Sequence, residues 1–84
     1  MEQLKKDIAN YHSVYGYREV VRYISEGNIA HVVIATDADN AYKDKLTQLC
    51  DTHGLSYRFL ANKELLGRQA GLDVGCAAIG FAKQ

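Results

Sequence analysis

The strongest constraint on how this chain folds is an alternation of two periods. Short runs of β-branched or small apolar residues stand between segments whose apolar residues recur three and four apart. The run His31–Thr36, HVVIAT, is too short for a helix and reads as a buried strand. Before it, Tyr17, Val20, Val21 and Ile24 follow the i, i+3, i+4, i+7 rule of an amphipathic helix from Tyr17 to Glu26. Gly27-Asn28 supplies its stop. After it, Asp37-Ala38-Asp39-Asn40 is a polar corner with capping residues for a helix from about Ala41 to Thr52. That helix carries Tyr42, Leu46, Leu49 and Cys50 on one side and ends at His53-Gly54.

The same alternation continues to both ends. Ser56–Leu60 is a second strand, and Asn62 caps a third helix that starts at Lys63 and ends at Gly71. Cys76–Ala82, apolar and small, reads as a buried central strand that helices can approach closely. Near the start, Leu4 and Ile8 mark a short amphipathic helix from Glu2 to about Tyr11. Ser13-Val14-Tyr15 is a short strand that Gly16 breaks. Helices alternating with strands in this way predict an α/β fold, a three-layer α-β-α sandwich with a small mixed four-stranded sheet.

A chain of 84 residues makes one small domain, residues 1–84, with one modest core. Ten basic and ten acidic side chains cancel. Neutrality argues against a purely electrostatic nucleic-acid binder, although a local basic patch depends on placement and not on the sum. Cys50 and Cys76 belong to no C-x-x-C motif and read as small buried hydrophobes. MEQLKKDIANYH lacks the apolar run of a signal peptide, and no segment approaches the ~20 apolar residues of a membrane span. A cytoplasmic protein without membrane partners is expected, and nothing points to obligate oligomers, so a monomer is expected.

Enzymatic chemistry finds no good residue set. Asp37 and Asp39, just past a strand, sit where aspartyl-phosphate enzymes place a nucleophile and a magnesium ligand. The other loops offer little beyond Gly71-Leu72-Asp73 to complete such a site. A calcium loop fails too: counted from Asp37, position six is Tyr42 instead of glycine and position twelve is Gln48 instead of glutamate. The plainer reading is a polar turn with a helix cap. His12, His31 and His53 share no ligand spacing, and neither a nucleophile elbow nor a phosphate-binding G-x-x-x-x-G-K-[ST] loop occurs. No metal and no cofactor is expected.

The stretch Tyr15–Tyr23, YGYREVVRY, is less ordinary. With Tyr17, Val20, Val21 and Ile24 on the core face, Arg18, Glu19 and Arg22 face outward at the start of the helix. Arg18 and Arg22 are like-charged i, i+4 neighbours, which costs about 0.2–0.5 kcal/mol. Arg18 also lies near the positive end of the helix dipole, a similar few tenths, which Glu19 partly offsets. A solvated charged face accounts for this. So does a binding corner: a glycine-led helix start offers free N–H groups to a phosphate, arginine forks onto guanine, and glutamate accepts from base amino groups.

Four blocks in order, GYREVVRYISEG, IAHVVIATDAD, LCDTHGLSYRFLANKELLG and AGLDVGCAAIGF, resemble the ribosomal-protein family of the large-subunit "seven-Ae" and "thirty-e" type, including its short bacterial members. The likeness runs from about Ser13 to Phe81. It implies a three-layer sandwich and binding of kink-turn RNA, a stem bent sharply at a bulge beside tandem sheared G·A pairs. Proteins read RNA at such distorted places because an intact A-form groove hides its base edges.

Carried over by position, the resemblance implies that Gly16 and Tyr17 form the glycine-led helix start and that Arg18 and Glu19 contact bases. Arg22 would be the basic residue one turn on, Lys63 would approach the RNA, and Leu72, Asp73 and Val74 would form the loop over the bulged nucleotides. Asp39 would be an acidic position near the same surface. Two positions depart from the pattern. Arg18 stands where archaeal members carry asparagine and bacterial ones often lysine, and Glu26 where members often carry a basic residue. The function implied is a non-catalytic binder of structured RNA, the ribosome included among its partners. The alternative is a member that has lost kink-turn binding and uses the same surface for another structured RNA or a protein.

Overall fold

The computed structural model describes residues 12–82. Four strands, β1 (Ser13–Tyr15), β2 (Ile29–Ile34), β3 (Ser56–Phe59) and β4 (Ala78–Ala82), form one sheet in the order β1-β4-β2-β3. Three helices connect them: α1 (Tyr17–Ser25), α2 (Asn40–His53) and α3 (Lys63–Gln69). The helix expected from Glu2 to about Tyr11 lies outside the described residues.

The sheet is mixed, as expected. β2 and β3 are parallel, with α2 as their crossover, and β4 runs antiparallel to both β1 and β2. β1, β2 and β3 therefore all point the same way. Each leads directly into a helix, so all three helices start at one end of the sheet. The chain enters β4 at that same end. This single consequence of strand direction positions everything that follows.

Helices cover both faces. α1 and α2 bury Val20, Ile24, Leu46 and Cys50 against Val14, Val32, Ile34 and Ala78. On the other face, Leu66 of α3 meets Val33, Ile79, Phe81 and Cys76. The alternation within β2 explains the split, because Val32 and Ile34 face one layer and Val33 the other. A strand buried on both faces has no polar side, and every residue of β4 is buried as expected for the central strand. Gly80 permits the close approach. A Cβ there would stand 2.8 Å from Ile29 Cδ1 and 3.1 Å from Val14 Cγ2.

Element limits shift by a residue or two from the sequence pattern. The strand expected at 31–36 begins at Ile29, which pairs with Ala82 across a register irregularity before His31. It ends at Ile34, because Ala35 and Thr36 turn their N–H groups to Ala77 and Ala61. Cys76 and Ala77 precede β4 instead of starting it, and α3 stops at Gln69, with Gly71 at φ 76 just beyond. α1 stops as expected. Gly27, φ 76, donates to Ile24 O and Asn28 to Tyr23 O. His12 and His53 are exposed, while His31 is half-buried, with Nδ1 3.0 Å from Ser56 Oγ.

Both cysteines are free and buried. Burial, with a smaller contribution from the Asp51 carboxylate, pushes the Cys50 thiol up from 9.0 to about 11. The folded state thus favours the neutral thiol. Its contribution to stability is complete below the unfolded value and is lost as pH rises through the folded one. Urea denaturation at increasing pH should show stability declining between about 9 and 11, and Cys50→Ala should flatten that decline. Leu46→Ala, at a fully buried position, should cost about 2–5 kcal/mol in the same assay at neutral pH.

Candidate functional site

The three helix starts that strand direction gathers at one end of the sheet are not equivalent. α2 is capped by Asp39, whose Oδ1 accepts from the Ala41 N–H at 2.9 Å. α3 is capped by Asn62, whose Oδ1 accepts from the Leu65 N–H at 2.8 Å. Asp37 Oδ1 also takes the Lys63 N–H at 2.7 Å. α1 begins at Gly16, which has no side chain to cap it. Val20 is the first residue of α1 to donate inward, to Gly16 O. The N–H groups of Tyr17, Arg18 and Glu19 have no acceptor among the described residues. Among the described helix starts, α1 alone has no side-chain cap, so its first-turn donors and the positive end of its dipole are left without a local acceptor.

Gly16 holds φ 92, a conformation costly for residues with a Cβ, although a Cβ itself would meet nothing within 4 Å. Its N–H donates to Ala78 O at 2.9 Å, and the Cys76 thiol donates to the same oxygen at 3.0 Å. One carbonyl thereby joins the start of α1 to the segment 72–77 that enters β4. Burial raises the Cys76 thiol above its ordinary range, and backbone hydrogen bonding from Gly16 and Ala78 offsets part of that.

The outward face of α1 is as expected, with one correction. Arg18, Glu19 and Arg22 are exposed, but Arg22 is not simply a like-charged neighbour of Arg18. It pairs with Glu19 at 2.8 Å and lies 5.3 Å from the centre of the Tyr23 ring. An exposed pair of this kind contributes only a few tenths of a kcal/mol, but it draws the Arg22 charge away from Arg18. Arg18 has no hydrogen-bond or ion-pair partner among the described residues. Glu26 caps the opposite end of the nine-residue α1, about 15 Å along the axis from Gly16.

Lys63 is exposed at the first position of α3, with its backbone fixed from both sides. Its N–H goes to Asp37, and its carbonyl accepts from the Cys76 N–H at 3.0 Å. In the loop before β4, Leu72 is half-buried against the second core and donates to Gly67 O at 2.8 Å. Asp73 is exposed, and Val74 is 71% exposed. Leu72 supports the loop from beneath, and Val74 is the apolar side chain that the loop presents. The expected site residues therefore gather at one end of the sheet: Gly16 to Arg22 on α1, Asp39 at the start of α2, Lys63 on α3, and the loop 72–74.

The Asp37 and Asp39 carboxylates are each engaged by a backbone N–H of a different helix start, so the pair acts as a structural brace. No cluster of three or more His, Cys, Asp or Glu able to hold a metal occurs among the described residues. Sequence reasoning missed two participants. Tyr42, assigned to the buried side of α2, is 43% exposed and stacks on Tyr17 with ring centres 4.0 Å apart and planes 13° apart. Its position in the first turn, beyond the reach of the core, was the available signal. Gly67 was missed too. A Cβ on it would collide with the Val74 carbonyl oxygen, so α3 and the loop can touch only at glycine.

The fold is that of a small α/β protein whose expected site residues gather at the carboxyl ends of β1, β2 and β3. The model of the "ribosomal protein L7Ae/L30e/S12e/Gadd45 family" matches residues 1–84, and the chain belongs to that family. It is 41% identical over 64 residues to the large ribosomal subunit protein eL8 of Methanobrevibacter smithii, covering 75% of this chain and 52% of that protein. It is 30% identical over 64 residues to an RNA-binding protein of Caldanaerobacter subterraneus subsp. tengcongensis, covering 76% and 78% of the two chains. The solved structure of a 15.5 kD RNA-binding protein of Giardia lamblia shares the fold, with TM-score 0.79 at 24% identity over 96% of this chain and 68% of that one. A Bacillus halodurans structure is similar with TM-score 0.84 at 24% identity, over 95% and 80%.

Gly67→Ala should separate α3 from the loop, lowering stability by about 1–3 kcal/mol in urea denaturation. Hydrogen exchange should show the Leu72 and Cys76 amides, bonded to Gly67 O and Lys63 O, losing protection beyond the global change.

Proposed function

We propose that this chain is a non-catalytic RNA-binding protein that recognises and stabilises kink-turn motifs in ribosomal or regulatory RNA. The observation that carries this reading is the one uncapped helix start among the described residues, with Arg18 and Glu19 on it, tied through Ala78 O to the loop that presents Val74. Family membership supports it, and the two sequence relatives compared above are described as an RNA-binding and a ribosomal protein.

In this reading the α1 N–H groups hold a phosphate, and Gly16 lets the RNA backbone approach. Arg18, with no partner among the described residues, forks onto the guanine acceptors of the sheared G·A pairs, and Glu19 accepts from a base amino group. Arg22 lends charge one turn on and aligns Glu19. Lys63 approaches a backbone phosphate. Val74, with Leu72 behind it, packs over the bulged nucleotides, and Asp73 supplies an acceptor at the loop. Tyr17 and Asp39 fix the two helix starts. No step requires a metal or cofactor. The RNA visits the bent state by itself, and the protein binds that state better than the straight one, which shifts the population. The protein acts as a monomer in the cytoplasm, and among the described residues no helix is long and apolar enough to cross a membrane.

The test is a titration of a kink-turn RNA against a matched duplex lacking the tandem G·A pairs. The kink-turn should bind at least tenfold more tightly. Arg18→Ala and Glu19→Ala should each cost about 1–3 kcal/mol on the kink-turn and narrow that preference. Lys63→Ala should weaken every RNA similarly and lower the salt slope by about 1. Equal affinity for both RNAs, or none for either, would sink the reading and leave the surface to another structured RNA or a protein.

A further inference from the structure

Three large apolar side chains are exposed among the described residues: Tyr42, Phe59 and Val74. All lie at the end of the sheet where the helices start. Tyr42 is in the first turn of α2, Phe59 closes β3, and Val74 is in the loop entering β4. The proposed kink-turn contact uses Val74 and leaves Tyr42 without a role.

Tyr42 is not loosely exposed. Its ring lies parallel to that of Tyr17, 4.0 Å between centres and 13° between planes, and Tyr17 in turn packs against the core formed by Val20, Ile24 and Leu46. The order from inside outward is core, Tyr17, Tyr42, solvent. Tyr42 has no second ring contact and no hydrogen bond among the described residues. A flat ring held at stacking distance by a half-buried partner offers its outer face to another flat ring.

The surroundings favour a nucleobase over an apolar protein side chain. Tyr42 is flanked by Asn40, Ala41 and Lys43, with Asp44 and Lys45 exposed just beyond, and Arg18 follows Tyr17 directly in sequence. Protein hot spots are ringed by contacts that exclude water. A lone ring among polar and charged groups, with Lys43, Lys45 and Arg18 among them, suits a partner that brings a π-face and a phosphate together. Base–aromatic stacking is moreover tolerant of sequence, since every base has such a face.

We propose that Tyr42, backed by Tyr17, is a stacking platform for an unpaired nucleobase of the bound RNA, which extends the contact from α1 across to α2. The proposal rests on the RNA-binding reading above and adds a position to it.

The chain contains no tryptophan, so Tyr42→Trp introduces a single reporter at the platform. With the kink-turn RNA, Tyr42→Phe should bind within about twofold of the natural chain, and Tyr42→Ala roughly 5- to 150-fold more weakly, the range of one base stack. Indole emission from the Tyr42→Trp variant should be quenched on RNA addition, and an abasic substitution at one unpaired position should abolish both the quenching and the penalty of Tyr42→Ala. If Tyr42→Ala binds as the natural chain does while Arg18→Ala binds weakly, the platform is refuted, RNA binding stands, and the ring is left to a protein partner. A weakened Tyr42→Ala together with an unquenched indole in Tyr42→Trp would also overturn the proposal, assigning the ring to holding α1 against α2. Failure of the natural chain to bind any RNA would defeat the underlying reading first.

Discussion

The carbonyl oxygen of Ala78 accepts two hydrogen bonds, one from the Gly16 N–H and one from the Cys76 thiol, at the first residue of the central strand. Both segments that shape the proposed surface are anchored there. The glycine makes the first bond compatible with the sharp exit from β1, because φ 92 is open to it at little cost. Burial makes the second durable, because a desolvated thiol stays protonated and keeps its donor. The site thus depends on the placement of β4 in the middle of the sheet, and that placement depends on a strand built of Ala, Ile, Gly, Phe and Ala with no polar side chain to hydrate.

Around that anchor the fold treats its three helix starts differently. Two are capped internally by Asp39, Asn62 and Asp37, which also clamps β2's exit to α3. The third is left open and carries an arginine, where a chain selected for stability alone would put a capping residue and an acid. The cost is about 1 kcal/mol of lost cap and dipole energy, well within what a small domain tolerates. Such a departure from local consistency belongs at a functional surface.

Most of the architecture was legible because it rests on periodicity. Val20 and Ile24 on α1, the two-sided burial of Val32, Val33 and Ile34, and the small residues of β4 each announce their face through spacing alone. Strand direction was less legible. Alternation allowed a largely parallel sheet, and only long-range pairing decides that β4 runs backward. Tyr42 was misread because spacing cannot tell a core-facing aromatic from one held at the rim by another ring. Arg22 was misread as Arg18's rival because a chain of letters does not show which rotamer an i, i+3 acid will capture. Gly67 carried no local signal, since its need for a bare Cα comes from the Val74 carbonyl oxygen seven residues away in sequence.

The open start of α1 has a further consequence in its singularity. Three uncapped helix ends would offer a polyanion three interchangeable footholds, and a nucleic acid could then sit in several registers, or reversed. With the other two described ends capped from within, the proposed surface has one uncapped helix start to offer a phosphate. The reach from that point to Val74 on one side and Tyr42 on the other is fixed by the sheet. In the proposed reading, a neutral molecule built this way has little general attraction for RNA and one preferred way to hold it. Polarity and alignment are then set by geometry before any base is read.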